Sequence, residues 1–286
     1  MRSIEGNGKC DLHTHTRASD GMNSPTENVL LAKDKGLSGI AITDHDTVAG
    51  VAEALEAGLE AGILVVPGIE ISTSAEGKDI HILGYGLNFT DQLLLERLDQ
   101  LRTTRESRNE MILAKLRGLG MSITLQEVKD GLGRPLLPDE SIGRPHIADA
   151  MVRKGYADNL RDAFNRFLGE GQLAYASVPR IAPEEAMMWI RDAGGAPVLA
   201  HPGLYGDDNL VRKIMENGKP SGIEVYHSDH GPKEEMRYLE IAREYGLIPT
   251  GGSDYHGVRQ GVVFHGDIGS RYVPIETVAQ LKETTN

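Results

Sequence analysis

The chain has 286 residues, 40% of them hydrophobic, enough to bury one large α/β barrel or two modest domains. A formal net charge of −12 argues against broad binding of duplex DNA, and the single cysteine, Cys10, excludes an intrachain disulfide. Cysteine usage, a polar Met1–Lys9 segment and the lack of a bilayer-length apolar run point to a cytoplasmic protein without membrane contact.

In chain order, the first expected strand carries Cys10-Asp11-Leu12-His13-Thr14-His15-Thr16. Alternate residues of a strand share a face, so His13 and His15 project into one space. A divalent metal held between them makes chemical sense of the pair. A helix follows, with Ser24 as N-cap, Pro25 at its first position, Glu27 completing a capping box and Gly36 ending it.

Strands are predicted at Gly39–Thr43, Ile63–Val66, Ile80–Tyr85, Ala196–Ala200, Gly222–Tyr226 and Leu247–Thr250. Their near-continuous hydrophobicity suits a parallel sheet covered by helices, either a barrel or a doubly wound sheet. Residues 91–185 break this alternation with one long helix over Asp91–Gly118 and shorter ones over Gly143–Lys154 and Asn159–Leu168. The expected organisation is a barrel from residues 1–90 and 186–286, with 91–185 as a helical insertion capping its site.

The chemistry collects at the strands. Thr43-Asp44-His45-Asp46 follows the second and Gly68-Ile69-Glu70 the third, while His81 lies in the fourth. Ala200-His201-Pro202, Tyr226-His227 and Gly252-Ser253-Asp254-Tyr255-His256 follow later ones. Barrel enzymes work at the C-terminal ends of their strands, so this distribution points to a metal cluster. His230 reads as a helix cap and His265 as a surface residue.

Four of these motifs, Asp11-Leu12-His13-Thr14-His15, Thr43-Asp44-His45-Asp46, Ala200-His201-Pro202 and Gly252-Ser253-Asp254-Tyr255-His256, resemble those of the polymerase-and-histidinol-phosphatase (PHP) superfamily. Within it, Gly143-Arg144-Pro145-His146, Ala163-Phe164 and Gly169-Glu170-Gly171 are similar to bacterial phosphoesterases of nucleoside 3′,5′-bisphosphates and short oligonucleotides. The resemblance implies a distorted (βα)7 TIM-like barrel and three divalent ions, manganese first, with iron or zinc as alternatives. His13, His15, Glu70 and Asp254 would hold the first ion. Glu70 would bridge to a second, completed by His81 and His201. Asp20, His45 and His256 would hold the third, although Ser19-Asp20-Gly21 also reads as a turn.

Three divalent ions bring about six positive charges and the three carboxylates return three, so the centre would favour an anionic phosphate ester. Metal-hydroxide attack on phosphorus is the expected chemistry. His227 is a candidate for protonating the leaving oxygen or for supporting a ligand, and Asp44 or Asp46 for orienting ligand histidines.

Arg102, Arg105 and Arg108 recur every three residues on the long helix, and Arg144 sits in the Arg144-Pro145-His146 segment. They read as partners for a second phosphate or, for the helix series, as a solvated face. Tyr175 could stack on a base or simply pack. The expected partner is a nucleotide or short oligonucleotide. A small-metabolite phosphatase, such as one for histidinol phosphate, and a metal-dependent amidohydrolase are the alternatives. No feature of the sequence specifies an oligomeric state.

Overall fold

In a computed structural model describing residues 8–137 and 139–285, the apolar runs form a nearly closed barrel. Its strands are β1 (Lys9–Asp11), β2 (Gly39–Ile42), β3 (Leu64–Ala75), β4 (Lys78–Tyr85), β5 (Ala196–Leu199), β6 (Gly222–His227) and β7 (Ile248–Gly252). They neighbour one another in chain order. A separate hairpin, β8 (Val258–Arg259) with β9 (Val262–Val263), follows, and β10 (Val273–Pro274) pairs with the outer edge of β1.

The two edges meet just beyond β1 and β7. Leu12 N–H donates to the Gly251 carbonyl at 3.2 Å, and Asp254 N–H to the His13 carbonyl at 2.8 Å. A Cβ at Gly252 would lie 2.3 Å from His13 N, so only glycine permits this approach.

Helices α1 (Pro25–Asp34) and α2 (Val51–Ala61) follow the first strands. The capping box stands as read: Ser24 Oγ accepts from Glu27 N–H at 3.1 Å, and Glu27 Oε2 accepts from Ser24 N–H at 2.6 Å. Then come α3 (Gln92–Gly118), α4 (Leu125–Asp130), α5 (Arg144–Arg153) and α6 (Leu160–Ala163), with no strand among the described residues of 91–182. The helix expected over 159–168 is divided: α6 passes into a π-helical turn at Phe164–Leu168. The elements α7 (Pro183–Asp192), α8 (Asp208–Gly218), α9 (Pro232–Tyr245) and α10 (Glu276–Glu283) complete the chain, and no described helix is long and apolar enough to cross a membrane.

Helix α3 joins two apolar clusters. Leu94, Leu98 and Leu101 pack with Ile69 and Ile71 of β3 and Trp189 of the segment Pro183–Asp192, whereas Ile112, Leu113 and Leu116 pack with Ile147, Met151 and Phe167. Each buried leucine contributes about 1.5–3 kcal/mol. The helix thus fixes the insertion to the barrel through its own length.

Three expectations need correction. The sheet is mixed rather than parallel, because β4 runs antiparallel to both β3 and β5. Glu76 and Gly77 both take positive φ, 50° and 81°, and close a two-residue hairpin that sends the chain straight back. Glu70 therefore lies inside the twelve-residue β3 rather than after it. His13 and His15 lie beyond β1, in an extended segment held by bonds to residues 254 and 255.

Cys10 is fully buried, and burial together with the Asp11 charge pushes its thiol far up. The native protein should leave a disulfide reagent unconsumed at mildly alkaline pH and release one equivalent per chain only on unfolding. Rapid reaction without denaturant would contradict this packing.

Candidate metal centre

The Glu70 side chain is 1% exposed, and its two oxygens address different neighbours. Oε2 lies 3.5 Å from His13 Nε2, 3.2 Å from His15 Nε2 and 2.9 Å from His45 Nδ1. Asp254 Oδ1 joins this group at 3.3 Å from His13 Nε2 and 3.1 Å from His15 Nε2. Glu70 Oε1 instead lies 2.8 Å from His81 Nδ1 and 3.0 Å from His201 Nε2. A third, looser group forms around Asp20, whose Oδ1 is 3.3 Å from His256 Nε2 and whose Oδ2 is 4.0 Å from His45 Nε2. His45 thus reaches both ways.

These contacts have the form of a ligand cage rather than of a hydrogen-bond network. His13 Nε2, both ring nitrogens of His15, His45 Nδ1 and Glu70 Oε2 are buried without a hydrogen-bond partner. Leaving such atoms unpaired is costly unless something polar sits between them. Donor atoms around a four-coordinate ion with bonds of about 2.0–2.1 Å stand roughly 3.3 Å apart, which matches the spacing of the first two groups. The residues fit divalent cations.

Without cations, protons must balance the carboxylates. Burial opposes the charge on His15, but the adjacent carboxylates of Asp254 and Glu70 carry it up to about 10. Burial pushes His45 and His201 down to about 4 despite Glu70. Asp20 is held well below the usual range, its burial outweighed by His45 and His256. A bound cation would replace the proton on His15.

The surrounding groups differ in part from expectation. Asp44 accepts from Thr16 N–H at 2.8 Å, Thr16 Oγ1 at 2.7 Å and Ser19 Oγ at 2.6 Å. Its hydrogen bonds orient no histidine, because the Thr16–Ser19 loop offers three donors to this buried carboxylate. It anchors the loop that carries Asp20. His227 is fully buried, its Nδ1 accepting from Asp229 N–H at 3.1 Å, so the proton sits on Nε2, 3.2 Å from Asp254 Oδ2. With both nitrogens engaged, it steadies Asp254 and has no donor free for a leaving group. His230 does not cap α9: Nε2 accepts from Gly203 N–H in the 3-10 turn Pro202–Tyr205, and Nδ1 donates to the Val225 carbonyl.

His265 is exposed, as the sequence suggests, and its Nδ1 lies 2.6 Å from Asp229 Oδ2 and its Nε2 3.6 Å from Asp254 Oδ2. It stands at the rim of the centre on the segment after β9. Glu224, which the sequence reading missed, is fully buried and accepts from His13 Nδ1 at 2.9 Å. Its signal was a charge amid Ile223 and Val225 on an otherwise apolar strand.

The arginines divide. Arg105 is not free for substrate: it pairs with Asp46, which φ of 55° turns toward α3, and with Ser72 Oγ at 2.8 Å. Arg144 lies 3.2 Å from Asp79 Oδ2, with its guanidinium carbon 5.9 Å from the Tyr175 ring centroid. Arg180, also missed, lies 3.0 Å from Asp79 Oδ1. Arg108 is buried with Nε and Nη2 unpaired, and burial with the charges of Arg105, Arg144 and Arg180 drives its pKa far down.

The PHP domain family model matches residues 11–187. A 5′-3′ exoribonuclease of Haemophilus influenzae is 35% identical over 87% of this chain and 90% of its own length. A 3′,5′-nucleoside bisphosphate phosphatase of Chromobacterium violaceum is 33% identical over 88% of each chain. Among solved structures, a protein of Bifidobacterium adolescentis described as a metal-dependent phosphoesterase superposes with a TM-score of 0.85 at 31% identity, covering 95% of this chain and 94% of its own.

Two substitutions test this geometry. Glu70→Ala should empty the two groups that share its carboxylate and lower phosphate-ester turnover by at least about a hundredfold. Metal analysis alongside a rate assay checks it, and full metal content with normal rates would refute the bridging role. A Cβ at Gly143 would lie 2.9 Å from Asp20 Oδ2. Gly143→Ala should therefore weaken metal retention at the Asp20 group by about tenfold, and less at the other groups, as read from metal equivalents surviving dialysis.

Proposed function

Because the chain belongs to the PHP domain family, and is therefore a phosphoric ester hydrolase, we propose that it acts on nucleotides carrying two phosphates. The substrates are nucleoside 3′,5′-bisphosphates or the 5′-phosphorylated ends of short oligonucleotides. The carrying observation is Arg108, a buried guanidinium with two unpaired donors among Arg105, Arg144 and Arg180. Among the described residues, the ion pairs of these four guanidiniums reach only the carboxylates of Asp46 and Asp79. Such a cluster calls for a further anion, and a phosphate dianion with several acceptor oxygens suits it.

Its position sets the reading of the substrate. Asp79 and His81 are alternate residues of β4, both half-buried on either side of the fully buried Ile80, so they share a face. Alternate residues stand about 6.8 Å apart along a strand, the order of the gap between the two phosphates of one nucleoside. A 5′-phosphate among the arginines would thus present the 3′-phosphorus to the groups around Glu70. Both substrates share this geometry: in one the 3′-phosphate is terminal, in the other it continues the strand.

In our reading the histidine and carboxylate groups hold three divalent ions, manganese foremost. Bound there, such ions acidify coordinated water and draw charge from the phosphoryl oxygens. Glu70 and Asp254 fix the spacing of the groups, Asp20 supplies the remaining negative charge, and Tyr175 beside Arg144 offers a ring at the half-exposed edge of the arginine cluster. His265, steadied by Asp229, stands at the rim where a departing oxygen would meet solvent.

Phosphate release from adenosine 3′,5′-bisphosphate, histidinol phosphate and AMP in Mn2+ discriminates the readings. We expect selective turnover of the bisphosphate. Arg108→Leu should raise its KM about 10- to 100-fold, the worth of one or two charged hydrogen bonds, with a much smaller effect on an aryl phosphate. Turnover of histidinol phosphate alone, or equal losses on both substrates, would overturn the two-phosphate reading.

A further inference from the structure

Glu224 lies in the middle of β6, fully buried, and belongs to none of the three groups around Glu70 and Asp20. Its two oxygens hold two different ligand residues. Oε1 accepts from His13 Nδ1 at 2.9 Å, and Oε2 accepts from the backbone N–H of His201 at 2.8 Å. The first bond fixes the proton of His13 on Nδ1, which leaves Nε2 as the atom turned toward Glu70 Oε2 and Asp254 Oδ1. The second holds the main chain at a bend where His201 takes φ of 21° and ψ of 59°, a conformation rare for a side chain branching from L-configured backbone. That bend brings His201 Nε2 to 3.0 Å from Glu70 Oε1.

From this geometry we infer that Glu224 is a positioning residue that couples the two groups sharing Glu70, by setting the His13 tautomer and the His201 bend with one carboxylate. The inference rests on the metal reading of those groups and is independent of which phosphate ester is the substrate. Its logic is one of donors and acceptors. Both partners of Glu224 donate, and only a carboxylate offers an acceptor on each side. An amide of the same shape has one acceptor and one donor. Glu224→Gln must therefore either set its NH2 against the His201 N–H or turn it toward His13. In the second case His13 accepts at Nδ1, and Nε2 takes the proton and ceases to be a ligand.

The test is metal binding by the full-length Glu224→Gln protein, with folding confirmed by circular dichroism. Metal-free protein is titrated with Mn2+ and with Zn2+ by calorimetry, and bound equivalents are counted after dialysis. We expect about a 10- to 100-fold loss of affinity for the ions at the two Glu70 groups, with the Asp20 group less affected. Unchanged affinities in a folded variant would overturn the inference. A second measurement needs no variant. Nitrogen-15 spectra of the Zn2+-loaded wild-type protein should show His13 protonated at Nδ1 and metal-shifted at Nε2, whereas a metal-shifted Nδ1 would also overturn it. Normal metal binding by the wild-type protein with no phosphatase activity would count against the substrate reading alone.

Discussion

The divided attention of the Glu70 carboxylate is the constraint on which the rest of the structure depends. One oxygen faces His13, His15 and His45, and the other faces His81 and His201, so a rotation of the carboxylate would disturb both sets at once. A strand supplies the required rigidity better than a loop. Glu70 lies inside β3, paired directly with Leu83 of β4, and eight residue pairs of the hairpin secure its position. The antiparallel hairpin, a departure from the parallel pattern of barrels, also brings His81 into register beside Ser72 and within reach of Glu70. The local topology and the chemistry are one feature.

Other parts of the centre rest on backbone conformations that few residues adopt. Asp46, His201, Asp254 and His265 all take positive φ without being glycine. Each such residue costs on the order of 1–3 kcal/mol, which the surroundings must offset. The offset is visible for Asp46, held by Arg105 and Ser72, and for His201, held by Glu224. Asp254 is held by the joint between the barrel's two edges, its N–H donating to the His13 carbonyl. Strain at the ligands is thus tied to barrel closure, and Gly252 is the residue that lets the edges come close enough.

Much of the barrel could be read from the sequence because its signals are local. Periodicity and capping located most strands and α1, and paired histidines near strand ends marked the residues that the fold gathers. What escaped was set by backbone sign or by distant partners. The direction of β4 is set by the two positive φ values at Glu76 and Gly77, which the apolar pattern of the flanking strands does not encode. Arg105 and Arg108 look alike on α3, yet the left-handed turn at Asp46 claims the first and leaves the second unpaired. Glu224 and Arg180 lie far along the chain from His13 and Asp79, and spacing carries no trace of those contacts.

The net charge of −12 hides a local arrangement of opposite excesses. Around Glu70 and Asp254, carboxylates and unpaired imidazole nitrogens converge, an environment made for cations. Two residues along β4, guanidiniums converge on Asp79, an environment short of anions. Asp79 alone satisfies part of that demand, since a single carboxylate cannot serve Arg144, Arg180 and Arg108 together. The strand therefore holds the two charge centres one pleat apart, with the spacing set by covalent geometry rather than by side-chain flexibility. A molecule that brings anionic groups to both must carry them at that spacing. On the proposed two-phosphate reading, selectivity of this kind would follow from β4 itself, because the pleat and not the length of any side chain sets the distance.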